Sequence, residues 1–347
     1  MQGERPTVEE SASIGNERMH QLIDIQSSDP SEFFSRLEKL SWIRLAGSNT
    51  LANPGAFHVA FLELVTLLQE IVFNQRGPAV LGYFERLELI YSAHFGATYN
   101  HLYRVVRVNL GVLLYVNELG ATYRWLDSVI LNSASVMPLD EISRVEAPAD
   151  VQDELRALLA AGEGGLPVTG KLGLTHPIGL ALLRFAIAHE LGHLIDLGES
   201  QRLQDMWREN AWADYDDALR YGLSARWIDQ AGYARLQRTS LDERVAARWG
   251  REFVADGLGF YTASRIPPPN TVWLQIAVEV FFHSLVAVYR GDTGSETHPS
   301  PMLRSTIIRA GQRKLRRVGW PEFLAQHWGP GFITSELLAT AIRKIGR

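Results

Sequence analysis

Apolar and polar positions along the chain alternate in period over successive stretches. Ser31 to Leu40, Ala56 to Phe73 and Pro78 to Phe95 repeat their apolar residues at helical spacing and predict three helices. Ahead of them, residues 1–30 are polar and rich in Ser and Glu, which predicts a mobile N-terminal segment. From residue 105 the pattern changes to β-branched and apolar runs, at 105–110 and 112–116. With 121–125 and 128–132 these predict a small sheet. Residues 138–174 are mixed, and Ala161-Gly162-Glu163-Gly164-Gly165-Leu166-Pro167 reads as a flexible link, a candidate lid or entry loop. Thr175-His176-Pro177 then opens a helix that is apolar on most faces, the mark of a buried one. A further helix carries residues 252–260. It is separated by Ile266-Pro267-Pro268-Pro269-Asn270 from a helix over 271–290, and two more follow in 302–347 around Trp328-Gly329-Pro330-Gly331. The fold class is α+β, mainly α-helical. A helical subdomain over 31–104 precedes a second domain over 105–347.

The buried helix carries the chemistry. Leu180 to Ala188 runs without Pro or Gly into His189-Glu190-Leu191-Gly192-His193. Histidines four apart share one helix face, so both imidazoles can grip one zinc ion, and Glu190 can reach a water on the same metal. The bland alternative is a core helix whose histidines are satisfied by hydrogen bonds. A catalytic zinc needs a third protein ligand, and the chain has no cysteine. Glu252 and Asp256 are four apart in an apolar segment with Phe253, Val254, Leu258 and Phe260, where unpaired carboxylates are costly. Glu252 is the candidate third ligand. Asp256 is the candidate acceptor for a ligand histidine N–H. Further on, Thr297-His298-Pro299-Ser300-Pro301-Met302-Leu303-Arg304 offers His298 as a donor to a developing oxyanion and Arg304 as a partner for an active-site carboxylate. Tyr215 and Tyr233 are additional donor candidates. The acidic run Asp214, Asp216 and Asp217 lacks EF-hand spacing and reads as a solvated helix face.

In this order the three segments resemble the gluzincin zinc metallopeptidases, nearest to the M48-like branch of HtpX and Ste24 type. The resemblance covers about thirty residues in three short segments. It implies a zincin-like catalytic core with one zinc per chain on His189, His193 and Glu252. It further implies Glu190 as general base, Asp256 behind the ligands, and His298 and Arg304 approaching the site. In that family an edge strand of a small sheet pairs with extended substrate; the nearest stretches here are 120–125 and 127–132. Membrane members of the branch carry spanning helices. The apolar windows 57–73 and 271–289 are broken by Glu63 and Glu70, and by Glu279 and His283, so no membrane span is expected and lipid-linked substrates are not carried over.

Composition narrows the partners. A net charge of −5 and a pI near 6.1 argue against a general nucleic-acid binder. The opening residues lack a charged-then-apolar signal pattern, so a cytoplasmic location is expected. The expectation is therefore an endopeptidase acting on a peptide or protein substrate. A zinc-binding regulatory or interaction protein without proteolysis, and a helical protein with a fortuitous motif, are the rivals.

Overall fold

The computed structural model describes residues 7–26, 29–46, 54–90, 98–100, 103–109, 124–125, 148–161, 177–198, 201–224, 228–267, 274, 277–278, 281–282, 294–295 and 298–308. It is mainly helical with a small sheet. The helices are α1 (Val8–Asp24), α2 (Pro30–Leu37), α3 (Pro54–Ile71, continued by a π-turn Val72–Arg76) and α4 (Ala79–Gly82). After them come α5 (Ala149–Ala161), α6 (Pro177–Gly198), α7 (Gln201–Ser224), α8 (Gln230–Thr239), α9 (Glu243–Ser264) and α10 (residues 301–308). The strands are β1 (Ile43–Ala46), β2 (Arg86–Ile90), β3 (Thr98–Asn100) and β4 (Val105–Asn109), in spatial order β1-β2-β4-β3. β1, β2 and β4 are parallel, and β3 runs antiparallel to β4.

Four expectations from the sequence are corrected here. The helix expected over 78–95 stops at Gly82, and Arg86–Ile90 is a strand. Leu87 and Leu89 alternate with polar Arg86 and Glu88, so the period-two reading wins once β1 and β4 supply ladder partners on both sides. The supposed helical subdomain therefore contributes three of the four strands, and β4 pairs across the 104/105 boundary. One apolar core likewise runs from Met19 on α1 through Leu64 and Leu89 to Leu182 on α6 and Ile308 on α10.

The N-terminal segment is no loose tail over 8–24. A capping box joins Thr7 and Glu10 at the start of α1. Ser11, Gly15, Met19 and Leu22 then bury one face at helical spacing. The backbones of α1 and α4 meet so closely that a Cβ on Gly15 would collide with the Pro78 carbonyl. Arg18 donates to the carbonyls of Leu81 and Phe84 at 2.7 and 2.6 Å, absorbing groups that the short α4 leaves unpaired.

Of the sheet residues expected beyond β4, Arg124 and Trp125 are helical. The runs at 112–116 and 128–132 lie outside the described residues, as do most of the link at 161–167 and the tail after 308. Residues 274, 277–278 and 281–282 are helical, in keeping with a helix over 271–290.

α6 is the central helix. Ile178, Leu182, Phe185, Ala188, Leu191 and Leu194 are all essentially inaccessible, which explains an apolar pattern with no polar face. It is also the described helix that is long and apolar enough, over Ile178–Asp196, to cross a membrane by length and composition, a window the sequence reading passed over. Here its surroundings are protein. Arg184, in its first half, is held by Glu63 of α3 at 2.6 and 3.0 Å and by the Ile266 carbonyl at 2.7 Å. That pairing explains how a buried guanidinium is tolerated.

Candidate metal centre

The two helices that carry the motif residues, α6 and α9, cross almost backbone to backbone. A Cβ on Gly192 would lie 2.6 Å from the Ala255 carbonyl oxygen, and one on Gly259 would lie 2.7 Å from N and Cα of His189. Only glycine permits that approach at both crossings. α9 presents Trp249, Glu252, Asp256 and Gly259 along one face, spaced three, four and three. Gly259 lies against the His189 backbone, and the two carboxylates meet the imidazoles.

The resulting cluster is tight. His189, Glu190 and His193 form a group that can hold a metal ion, with one ligand atom of each within 4.8 Å of the others. Glu252 belongs beside them. One of its carboxylate oxygens lies 3.5 Å from His189 Nε2 and the other 3.5 Å from His193 Nε2. Glu190 Oε1 is 3.8 Å from His189 Nε2. Asp256 Oδ1 lies 2.9 Å from His189 Nδ1, behind the ring. Arg304 grips Asp256 with two hydrogen bonds of 2.8 Å and comes within 3.4 Å of Glu252 Oε2. Its guanidinium also stacks 4.9 Å above the Phe282 ring. His298 is more peripheral: its Nε2 is 4.0 Å from Glu252 Oε2, and 61% of its side chain is exposed.

Electrostatics follow from this packing. Burial opposes charge on His189, but Asp256, Glu252 and Glu190 outweigh it and lift its pKa to about 10. Burial presses His193 down to about 4 against the pull of Glu252. Burial also works against the charged forms of Glu252 and Asp256, yet His189, His193 and Arg304 hold Glu252, and Arg304 and His189 hold Asp256, well below the usual carboxylate range. Arg304 stays charged, its pKa raised by the same carboxylates in spite of burial.

Three features fit a divalent cation. Glu252 Oε2 is buried without a hydrogen bond of normal length, its nearest nitrogens standing 3.4 to 4.0 Å away. A tetrahedral ion with bonds near 2.05 Å separates its ligand atoms by about 3.4 Å, close to both Glu252–imidazole distances. With neutral imidazoles, the carboxylates Glu190, Glu252 and Asp256 against the guanidinium of Arg304 leave, among the described residues, a charge that a dication cancels.

No protein-family model, curated protein or solved structure matches the chain.

His189, Glu190, His193, Glu252, Asp256 and Arg304 come together at this place, with His298 at its rim. Tyr215 does not join them; it is buried in a second apolar cluster and its hydroxyl donates to the Leu236 carbonyl at 3.1 Å. Tyr233 packs against the same cluster. Asp214 is buried while Asp216 and Asp217 are exposed, so the acidic run splits between two faces of α7. The sequence reading missed Trp249 and Gly259. Both could have been found by extending the Glu252–Asp256 stripe by three residues in either direction.

Proposed function

We propose that the protein is a zinc-dependent endopeptidase. The observation that supports this most is the half-buried Glu252 carboxylate, whose two oxygens lie 3.5 Å from Nε2 of one and of the other imidazole of a His-Glu-x-x-His helix. His189, His193 and Glu252 would hold the ion. Glu252 is preferred to Glu190 as third ligand because both its distances approach the tetrahedral spacing, whereas Glu190 stands wider at 3.8 Å. When bound, zinc supplies a Lewis acid that acidifies water and polarises a peptide carbonyl.

The chain's own groups do the rest. Asp256 fixes the His189 ring from behind, so that Nδ1 faces the carboxylate and Nε2, turned towards Glu252, would be free to bind the ion. Arg304 keeps Asp256 ionised and oriented. Glu190, beside both imidazoles, accepts a proton from the attacking water and delivers it to the departing amine. His298, exposed at the rim, donates to the oxygen of the scissile carbonyl as charge develops there.

Metal content decides the first half of this reading. Wild-type protein dialysed without chelator should carry about one zinc per chain, and Glu252→Ala should carry far less. Glu190→Gln should keep its zinc and lose hydrolysis of a peptide library. Wild type that takes up no zinc, or a Glu190→Gln variant that cleaves as fast as wild type, contradicts the proposal.

A further inference from the structure

Trp249 is absent from the reaction outlined above, yet it is completely buried and its indole N–H is directed at the segment that carries His298. Nε1 donates to the Ser295 carbonyl at 2.9 Å. Ser295 in turn closes a tight turn on His298: its N–H donates to the His298 carbonyl at 2.7 Å, and the His298 N–H donates to Ser295 Oγ at 3.0 Å. Gly294, at a φ of +64°, allows the turn to fold back on Ser300, where a Cβ would come within 2.8 Å of the Ser300 nitrogen. Ser300 then starts α10, accepting from Leu303 N–H at 3.3 Å through its hydroxyl. One turn into α10, Arg304 is clamped on Asp256.

The 294–304 segment is thus fastened to α9 at two points, Trp249 and Asp256. These are seven residues apart on one face, about 10 Å along the helix axis. Glu252 sits between them on the same face. His298 lies between the two fastenings in the chain and is held over Glu252, at 4.0 Å. His298 is thus offered to solvent beside the Glu252 carboxylate, on a segment held to α9 on either side of it.

We propose that Trp249 is a positioning residue: its indole N–H, through the Ser295 turn, sets His298 over Glu252 for contact with the substrate carbonyl. This rests on the peptidase reading for its purpose but not for its geometry. Packing alone would not demand the nitrogen. The ring fills a cluster with Tyr215, Phe253, Leu303 and Ile307, which a phenylalanine would also occupy, whereas the hydrogen bond to Ser295 requires the N–H.

The test uses the full chain with Trp249→Phe, and Ser295→Ala as a second, exposed variant whose folding is not at stake. In protein labelled with 13C-histidine, the His298 ring resonance is assigned by its loss in His298→Asn. Both variants should move that resonance towards the position of free histidine while leaving zinc content unchanged. With zinc-loaded protein and fluorescein-labelled casein, Trp249→Phe should lower kcat about tenfold or more at unchanged KM. Trp249→Phe/His298→Ala should be no slower than His298→Ala alone. An unmoved His298 resonance in both variants, or rate losses that multiply in the double variant, would overturn the proposal. Wild-type protein that leaves casein intact would count against the peptidase reading alone, and the resonance comparison decides the anchor in either case.

Discussion

Gly259→Ala places a methyl group 2.7 Å from the backbone N and Cα of His189, where ordinary contacts begin near 3.4 Å. Backbone atoms of a buried helix cannot swing aside, so α6 and α9 must part by about 0.7 Å at this crossing. Overpacking of this kind costs about 1–3 kcal/mol, or a few degrees in Tm for a chain of this length. The consequence for the site is sharper. His189 is itself the residue pushed, and its Nε2 is 3.5 Å from Glu252. Opening that gap by the full shift gives about 4.2 Å, well beyond the roughly 3.4 Å span of a tetrahedral ion. Zinc affinity should fall at least about tenfold, equivalent to ~1.4 kcal/mol. Gly257→Ala is the matched control. It lies two residues away on the exposed face of the same helix, with nothing within 4 Å of its Cβ position, and should gain about 0.5–1 kcal/mol from helix propensity. Thermal melts and zinc titrations against a chromophoric chelator read both quantities. A Gly259→Ala protein that melts and binds zinc like wild type would refute the idea that this crossing sets the ligand spacing.

Asp256→Ala should be costly twice over. It strips the partner from a buried Arg304, a loss of about 3–5 kcal/mol in thermal or denaturant unfolding, and it frees the His189 ring, weakening metal binding about 10- to 100-fold. Unchanged stability would show that Arg304 finds another acceptor. Metal uptake should also release protons. With a pKa near 10, His189 is charged in metal-free protein at neutral pH, and a ligand imidazole must be neutral. Affinity should therefore rise with pH through the neutral range. Calorimetry at pH 7 in buffers of different ionisation enthalpy should count at least about one proton per ion; a count near zero would mean His189 is already neutral.

How far the site could be read in advance depended on separation along the chain. His189 with His193, and Glu252 with Asp256, are neighbours on a helix by periodicity alone, so their shared faces could be read from spacing. Joining the two pairs across 59 residues rested on the need for a third ligand, the cost of carboxylates in an apolar segment and, after these, on resemblance, because no local rule brings α9 to α6. The structure does so through Gly192 and Gly259, where two missing side chains let the backbones touch. The strand Arg86–Ile90 was misread for a related reason. Its apolar residues suit either period at that length, and only the parallel partners β1 and β4, from distant parts of the chain, select the extended form. α1 looked like a polar tail because its buried face is made largely of small residues, Ser11 and Gly15, whose value lies in close approach to α4 rather than in hydrophobicity.

The sequence by itself therefore determined the helix that carries the candidate ligands, the kinds of donor atoms and their pairing within a turn. These are matters of helical period and residue chemistry. The tertiary structure decided the distances between donors on different helices, the alignment of Asp256 behind His189 and the fastening of the His298 segment to Trp249. Those depend on which backbones can approach closely, and that is settled by packing among residues far apart in the chain.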